Sequence, residues 1–131
     1  MPDTIDVRIY YEDTDCGGVV YYGKYLGFLE RARTHYLEKR GVKLLDMMNE
    51  GMYFVVVNVG IRYHKPARYA DILTIHTEIE EISYASITFR HKIYLKDMET
   101  KISTAEVRLA TVGTELKPKK MSDGLIEALK I

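Results

Sequence analysis

Tyr11-Glu12-Asp13-Thr14-Asp15-Cys16-Gly17-Gly18-Val19-Val20 is the stretch of this 131-residue chain whose residue types and spacing could do chemistry. Carboxylates and a thiol lead into paired glycines and then into a run of helical periodicity. A helix N-terminus offers unpaired backbone N–H groups and the positive end of the helix dipole, so a carbonyl oxygen held there would be polarised. A carboxylate a few residues upstream would then stand ready to attack the carbonyl carbon or to activate a water. That arrangement is what acyl transfer needs, with hydrolysis as the reaction class. The same residues also permit a structural use, in which Asp13 or Asp15 caps the helix and Gly17-Gly18 makes a turn. Cys16 is a nucleophile by type, but no obvious base stands near it in sequence, and a buried or incidental thiol is the simpler reading.

Other candidates carry less. The four histidines, His35, His64, His76 and His91, fall at separations that match no metal-ligand spacing, so no metal is expected. Tyr10, Tyr11, Tyr21, Tyr22 and Tyr25 cluster around the loop; most of them are expected in the core, with one or two lining a pocket. Arg62, His64, Lys65 and Arg68 gather cations around Pro66 and could bind phosphate, or form a solvated turn. Lys117, Lys119 and Lys120 in the tail are a second candidate for phosphate binding, against plain solvation.

Residues 4–11 alternate, with Ile5, Val7, Ile9 and Tyr11 on one side, which is the period of a half-buried strand. Across 22–40 the residues Tyr25, Phe28, Leu29, Ala32 and Tyr36 recur at helical spacing, widened by Leu26 and Leu37. So wide a stripe predicts a helix enclosed by sheet. Lys39 and Arg40 suit its last turn, and Gly41 follows where a left-handed residue is usual. A short turn or helix through Leu44 to Met48 leads to Gly51. The β-branched run over 53–65 predicts a strand buried on much of both faces. Alternation over 71–82, 85–95 and up to Val112 predicts three more strands, the four forming a meander. Ser122-Asp123 is placed to cap a last short helix. Strand, long helix and four antiparallel strands make an α+β domain with a five-stranded sheet curled around the helix. Exposed sheet edges are commonly paired away, so a homo-oligomer is expected.

Length and composition bound the rest. A chain of 131 residues fits one domain, 1–131, and 47% hydrophobic with 29% charged residues supply an ordinary globular core. Nineteen Lys plus Arg balance nineteen Asp plus Glu, so no global positive field draws the protein to nucleic acid or to an anionic membrane. A single cysteine forms no intrachain disulfide. With no apolar run of the roughly 18 residues that a membrane span needs, and no secretory leader, a cytoplasmic protein without membrane insertion is expected.

Tyr11 to Asp15, Gly17 to Tyr22, Tyr25-Leu26 and Phe28-Leu29-Glu30-Arg31-Ala32-Arg33 resemble the signature of the hotdog-fold acyl-CoA thioesterases of the 4-hydroxybenzoyl-CoA thioesterase type. Similarity is greatest to the small thioesterases encoded with the Tol-Pal envelope system, and Ile61 to Asp71 extends it over nearly the whole chain. The resemblance implies a hotdog fold, acyl-CoA as substrate and no separate cofactor, CoA being part of the substrate. It implies Asp15 as nucleophile or general base, the Tyr22 backbone N–H as oxyanion donor, and Tyr11 pointing into the site with Ile9 and Val7. It also implies a dimer joined edge to edge, or a tetramer, with active sites at the subunit interface.

Two departures matter. The Tol-Pal-type members usually carry histidine where this chain has Tyr22, whereas tyrosine resembles the 4-hydroxybenzoyl-CoA branch. The basic run that meets the nucleotide phosphate in that branch is replaced here by Ser83-Tyr84-Ala85, leaving Lys65 and Arg68 as candidate phosphate ligands. A hydratase on the same fold would need a histidine base near a carboxylate, and no histidine lies in the first loop or on the first turns of the helix. The alternative outside catalysis is an acyl-CoA-binding or envelope-machinery interaction protein, with Asp15 only a cap.

Overall fold

The computed structural model describes residues 3–97 and 99–130. Its elements are β1 (Asp3–Arg8), α1 (Lys24–Lys39), α2 (Leu44–Asn49), β2 (Tyr53–Tyr63), β3 (Ile72–Ile82), β4 (Ser86–Leu95), β5 (Lys101–Val112) and α3 (Asp123–Leu129). The five strands form one antiparallel sheet in the order β1-β3-β4-β5-β2. This is the α+β architecture expected of a hotdog fold.

Period-two alternation decides which side of the sheet is dry. Leu73 and Ile75 of β3, Ile87, Phe89, His91 and Ile93 of β4, and Val107 of β5 are all buried on the face that meets α1. The helix answers with Tyr25, Phe28, Leu29, Ala32, Tyr36 and Leu37, and the Tyr36 ring meets Phe89 edge-on at 5.7 Å. At its C-terminus the Gly41 N–H bonds to the Glu38 carbonyl (3.0 Å) and the Val42 N–H to the Leu37 carbonyl (2.9 Å). That pattern needs a left-handed residue at Gly41, whose φ is +80°. The last helix is capped as expected, with Ser122 Oγ accepting the Leu125 N–H at 3.2 Å.

Four expectations are corrected. The strands β3, β4 and β5 form a meander, but β2 does not stand beside β3; it pairs with β5, and β1 takes the edge next to β3. Residues 64–71 make this possible, because eight residues reach up to ~26 Å while three strand spacings come to ~14 Å. Standing at an edge, β2 is not buried on both faces: Val56, Val57 and Val59 are 52%, 54% and 37% exposed. Leu26, placed on the buried stripe by spacing, is exposed, because one side of α1 has no sheet over it. Finally, β1 stops at Arg8 and residues Tyr11–Asp13 form a single 3-10 turn. The turn breaks the alternation, so Tyr11 does not point inward with Ile9 and Val7 but stands 80% exposed, edge-on to Tyr69.

Candidate active site

The loop after β1 is a tight hairpin rather than a helix cap. Asp15 N–H bonds to the Val19 carbonyl (2.9 Å), and Gly18 N–H returns to the Asp15 carbonyl (3.1 Å). Gly18 closes this turn with φ +80°, a conformation that a side chain would strain. The Asp15 carboxylate accepts the Gly17 N–H at 2.8 Å through one oxygen, Oδ1, and is otherwise exposed at the hairpin tip. Asp13 is the residue that holds the loop together, since its Oδ2 accepts the Tyr10 N–H at 2.9 Å and its Oδ1 lies 3.7 Å from Lys24. Since α1 begins at Lys24 behind Gly23, with no side-chain cap, neither aspartate caps it. Cys16 is exposed beside Asp15, not buried.

The hairpin is tied to the connection between β2 and β3. Val20 N–H bonds to the Ala67 carbonyl at 2.8 Å, and Val19 pairs with Arg68 through the backbone. Tyr21 N–H bonds to the Asp13 carbonyl (2.9 Å), and Lys24 N–H to the Tyr21 carbonyl (2.9 Å). Between them, the Tyr22 and Gly23 N–H groups donate to no described residue. These are two adjacent orphan amides at the start of a 16-residue helix, where the dipole is positive. A methyl group at Gly23 would sit 2.8 Å from the Tyr21 ring, so the turn accepts glycine most readily.

Beside this turn lies a cleft of about 270 Å³, walled by Val20, Tyr22 and Tyr25 on one side and Tyr63, His64, Lys65 and Pro66 on the other. The fold therefore brings Tyr22 and Lys65 together. Asp15 reaches the cleft only through the return arm of its hairpin, at Val20, while Arg68 flanks the hairpin backbone and is exposed. Tyr11 and the tail lysines do not line it. Tyr63 and His64 were missed as neighbours of the helix start, because their contacts span about forty residues. Tyr63 Oη donates to the Tyr22 carbonyl at 3.2 Å, and His64 Nε2 lies 3.1 Å from Thr104 Oγ1. Their place in the stretch around Pro66 was the available signal. The expectation that most loop tyrosines are core fails as well: Tyr10, Tyr11, Tyr21 and Tyr22 are exposed, and of the five only Tyr25 is buried. Burial pushes the Tyr25 and Tyr63 phenols up, so both remain neutral donors. Among the described residues no group of three or more His, Cys, Asp or Glu is placed to hold a metal, and no helix is long and apolar enough to cross a membrane.

The family model described as the thioesterase superfamily matches residues 17–102. This chain belongs to that superfamily. As a thioesterase it is an enzyme of the thioester hydrolases. It is 38% identical over 125 residues to the acyl-CoA thioester hydrolase YbgC of Escherichia coli, covering 95% of this chain and 92% of that one. Among solved structures, a probable thioesterase from Bartonella henselae superposes with a TM-score of 0.86 at 31% identity, covering 93% of this thioesterase and 100% of that chain. An aspartate-to-asparagine mutant of 4-hydroxybenzoyl-CoA thioesterase, complexed with 4-hydroxybenzoyl-CoA, shares the fold at TM-score 0.90 and 22% identity, covering 98% and 99% of the two chains.

Proposed function

We propose that this thioesterase hydrolyses acyl-CoA thioesters, with Asp15 as the catalytic carboxylate and the Tyr22 and Gly23 amides as oxyanion donors. The observation that carries the reading is the pair of unused N–H groups at the turn into α1, on the same short loop as an exposed carboxylate held from one side by a single backbone donor. As the carbonyl carbon becomes tetrahedral its oxygen gains charge, and donors fixed in advance stabilise that charge without reorganising. The carboxylate either adds to the carbonyl carbon, expelling CoA thiolate and leaving an anhydride that water opens, or takes a proton from the water that adds. Both routes end in free acid and CoA thiol. Tyr11, exposed at the start of the loop and outside the cleft, is assigned no chemical step. No cofactor is needed beyond the CoA of the substrate.

The test is release of CoA thiol, with an equal amount of free acid, from acetyl-, butyryl-, dodecanoyl- and benzoyl-CoA. Turnover of at least one class supports the reading. Binding of all four without thiol release would instead favour a non-catalytic acyl-CoA-binding protein.

Lys65 and Arg68, cations on either side of the hairpin's anchor, are proposed to meet the CoA phosphates. Replacing both by alanine is expected to raise KM for acyl-CoA several-fold at low salt with kcat nearly unchanged. The KM for the matching acyl-pantetheine, which lacks the nucleotide, should not move; an equal rise for both substrates would remove the phosphate role.

We further propose that the protein is a dimer or tetramer joined through β2. The exposed Val56, Val57 and Val59 make an apolar edge, interrupted by a register shift between Val56 and Asn58, whereas the β1 edge carries Asp6 paired with Lys96. Light scattering should report at least twice the chain mass, and Val57→Lys should shift it toward the monomer. A wild-type mass of one chain would overturn this assembly.

A further inference from the structure

We propose that Tyr63 is a positioning residue for the oxyanion amides, clamping the Tyr22–Gly23 peptide from the opposite strand; this rests on the hydrolase reading above. The Tyr22 carbonyl accepts two donors, Tyr63 Oη at 3.2 Å and the Tyr25 N–H at 3.4 Å, so the phenol supplies the shorter contact. A peptide unit is planar and trans, and its C=O and N–H point in opposite directions. Fixing the Tyr22 oxygen therefore fixes the direction of the Gly23 N–H, which donates to no described group. A proton donated to the carbonyl also polarises the whole amide and makes that N–H a better donor.

The clamp is delivered by the sheet and not by the helix it serves. Tyr63 ends β2 opposite Ser103 of β5. Ser103 Oγ donates to the Arg62 carbonyl at 2.8 Å, and His64 N–H bonds to the Ile102 carbonyl at 2.8 Å, so the backbone on both sides of Tyr63 is held. Its ring lies 5.3 Å from Tyr25 at 65°, which sets the direction of the phenol. Tyr25 in turn is buried against Phe28 in the first turns of α1. Of the side chains walling the cleft, Tyr63 is thus the one that joins the end of β2 to the turn carrying the free amides.

Tyr63→Phe keeps the ring and its packing and removes only the hydroxyl. The variant is expected to lose about three- to ten-fold in kcat, the worth of one hydrogen bond, with KM within about two-fold and an unchanged thermal midpoint. A merely structural role would lower the midpoint and leave kcat of the folded fraction intact. A second readout needs no turnover: the Gly23 amide resonance, followed with an acyl-CoA analogue in which CH₂ replaces the thioester sulfur and the carbonyl is kept. Binding should move the Gly23 proton downfield in the wild type and less than half as far in Tyr63→Phe. If the wild type hydrolyses nothing yet this difference is seen, the hydrolase reading fails and the positioning role stands. Equal Gly23 shifts in both proteins, a Gly23 amide indifferent to the analogue in the wild type, or wild-type kcat in Tyr63→Phe would each overturn the proposal.

Discussion

Lowering the pH from 7.5 to 5 is expected to cost this protein about 2 kcal/mol of stability through one residue, His91. The imidazole is fully buried between α1 and the sheet. Arginine can only donate, so Arg33 Nη1 donates to Nε2 at 3.4 Å, which assigns the proton to Nδ1 for donation to Thr77 Oγ1 at 3.0 Å. Protonating Nε2 would set an N–H against a guanidinium in a dry core. Burial first, and the Arg33 charge second, lower the His91 pKa to about 3. The folded value lies below the unfolded value near 6.5, so the unfolded chain takes up the proton first. The contribution is fully present above pH 6.5 and is lost progressively as pH falls toward 3, by up to about 1.4 kcal/mol per pH unit. Urea midpoints between pH 7.5 and 5 should therefore fall more steeply for the wild type than for His91→Gln, which keeps an acceptor for Arg33 and does not titrate. Parallel profiles would show that His91 does not govern acid stability.

Asp15→Asn is expected to lower kcat by about 10² to 10⁴-fold while leaving the fold unchanged. Asparagine keeps Oδ1, so the bond from the Gly17 N–H at 2.8 Å and the hairpin turn survive. Because α1 is headed by Gly23, the substitution removes no helix cap, and stability should stay within about 0.5 kcal/mol. What disappears is the negative charge, and with it both the nucleophile and the base. Retained activity with lowered stability would reduce Asp15 to a turn residue.

Much of this was legible in the chain because it is local. The helix expected over 22–40 is found at Lys24–Lys39, with left-handed Gly41 just beyond its end, and Ser122 caps α3. The alternation expected over 85–95 is found in β4, whose buried face carries His91 beside Phe89. Three features were not local. Strand order depends on which edge residues 64–71 carry the chain to, and a β-branched run such as Val55-Val56-Val57 looks alike at a sheet's centre and at its edge. Tyr11 was placed by extending an alternation through a 3-10 turn that the acidic residues after it produce. Tyr63 and His64 reach the cleft through β2–β5 pairing, and no spacing within one element reveals that. The site's first loop was visible, and so were His64 and Lys65 as candidate ligands around Pro66; that this stretch faces the start of α1 was not.

The most direct test of the central claim is single turnover with acyl-CoA already bound, comparing wild type and Asp15→Asn at equal occupancy. Binding then drops out and only the carboxylate differs. The account predicts that thiol appears in the wild type within seconds, while the variant holds intact thioester at least about a hundred times longer. Consumption of the bound thioester at the same rate in both would contradict it.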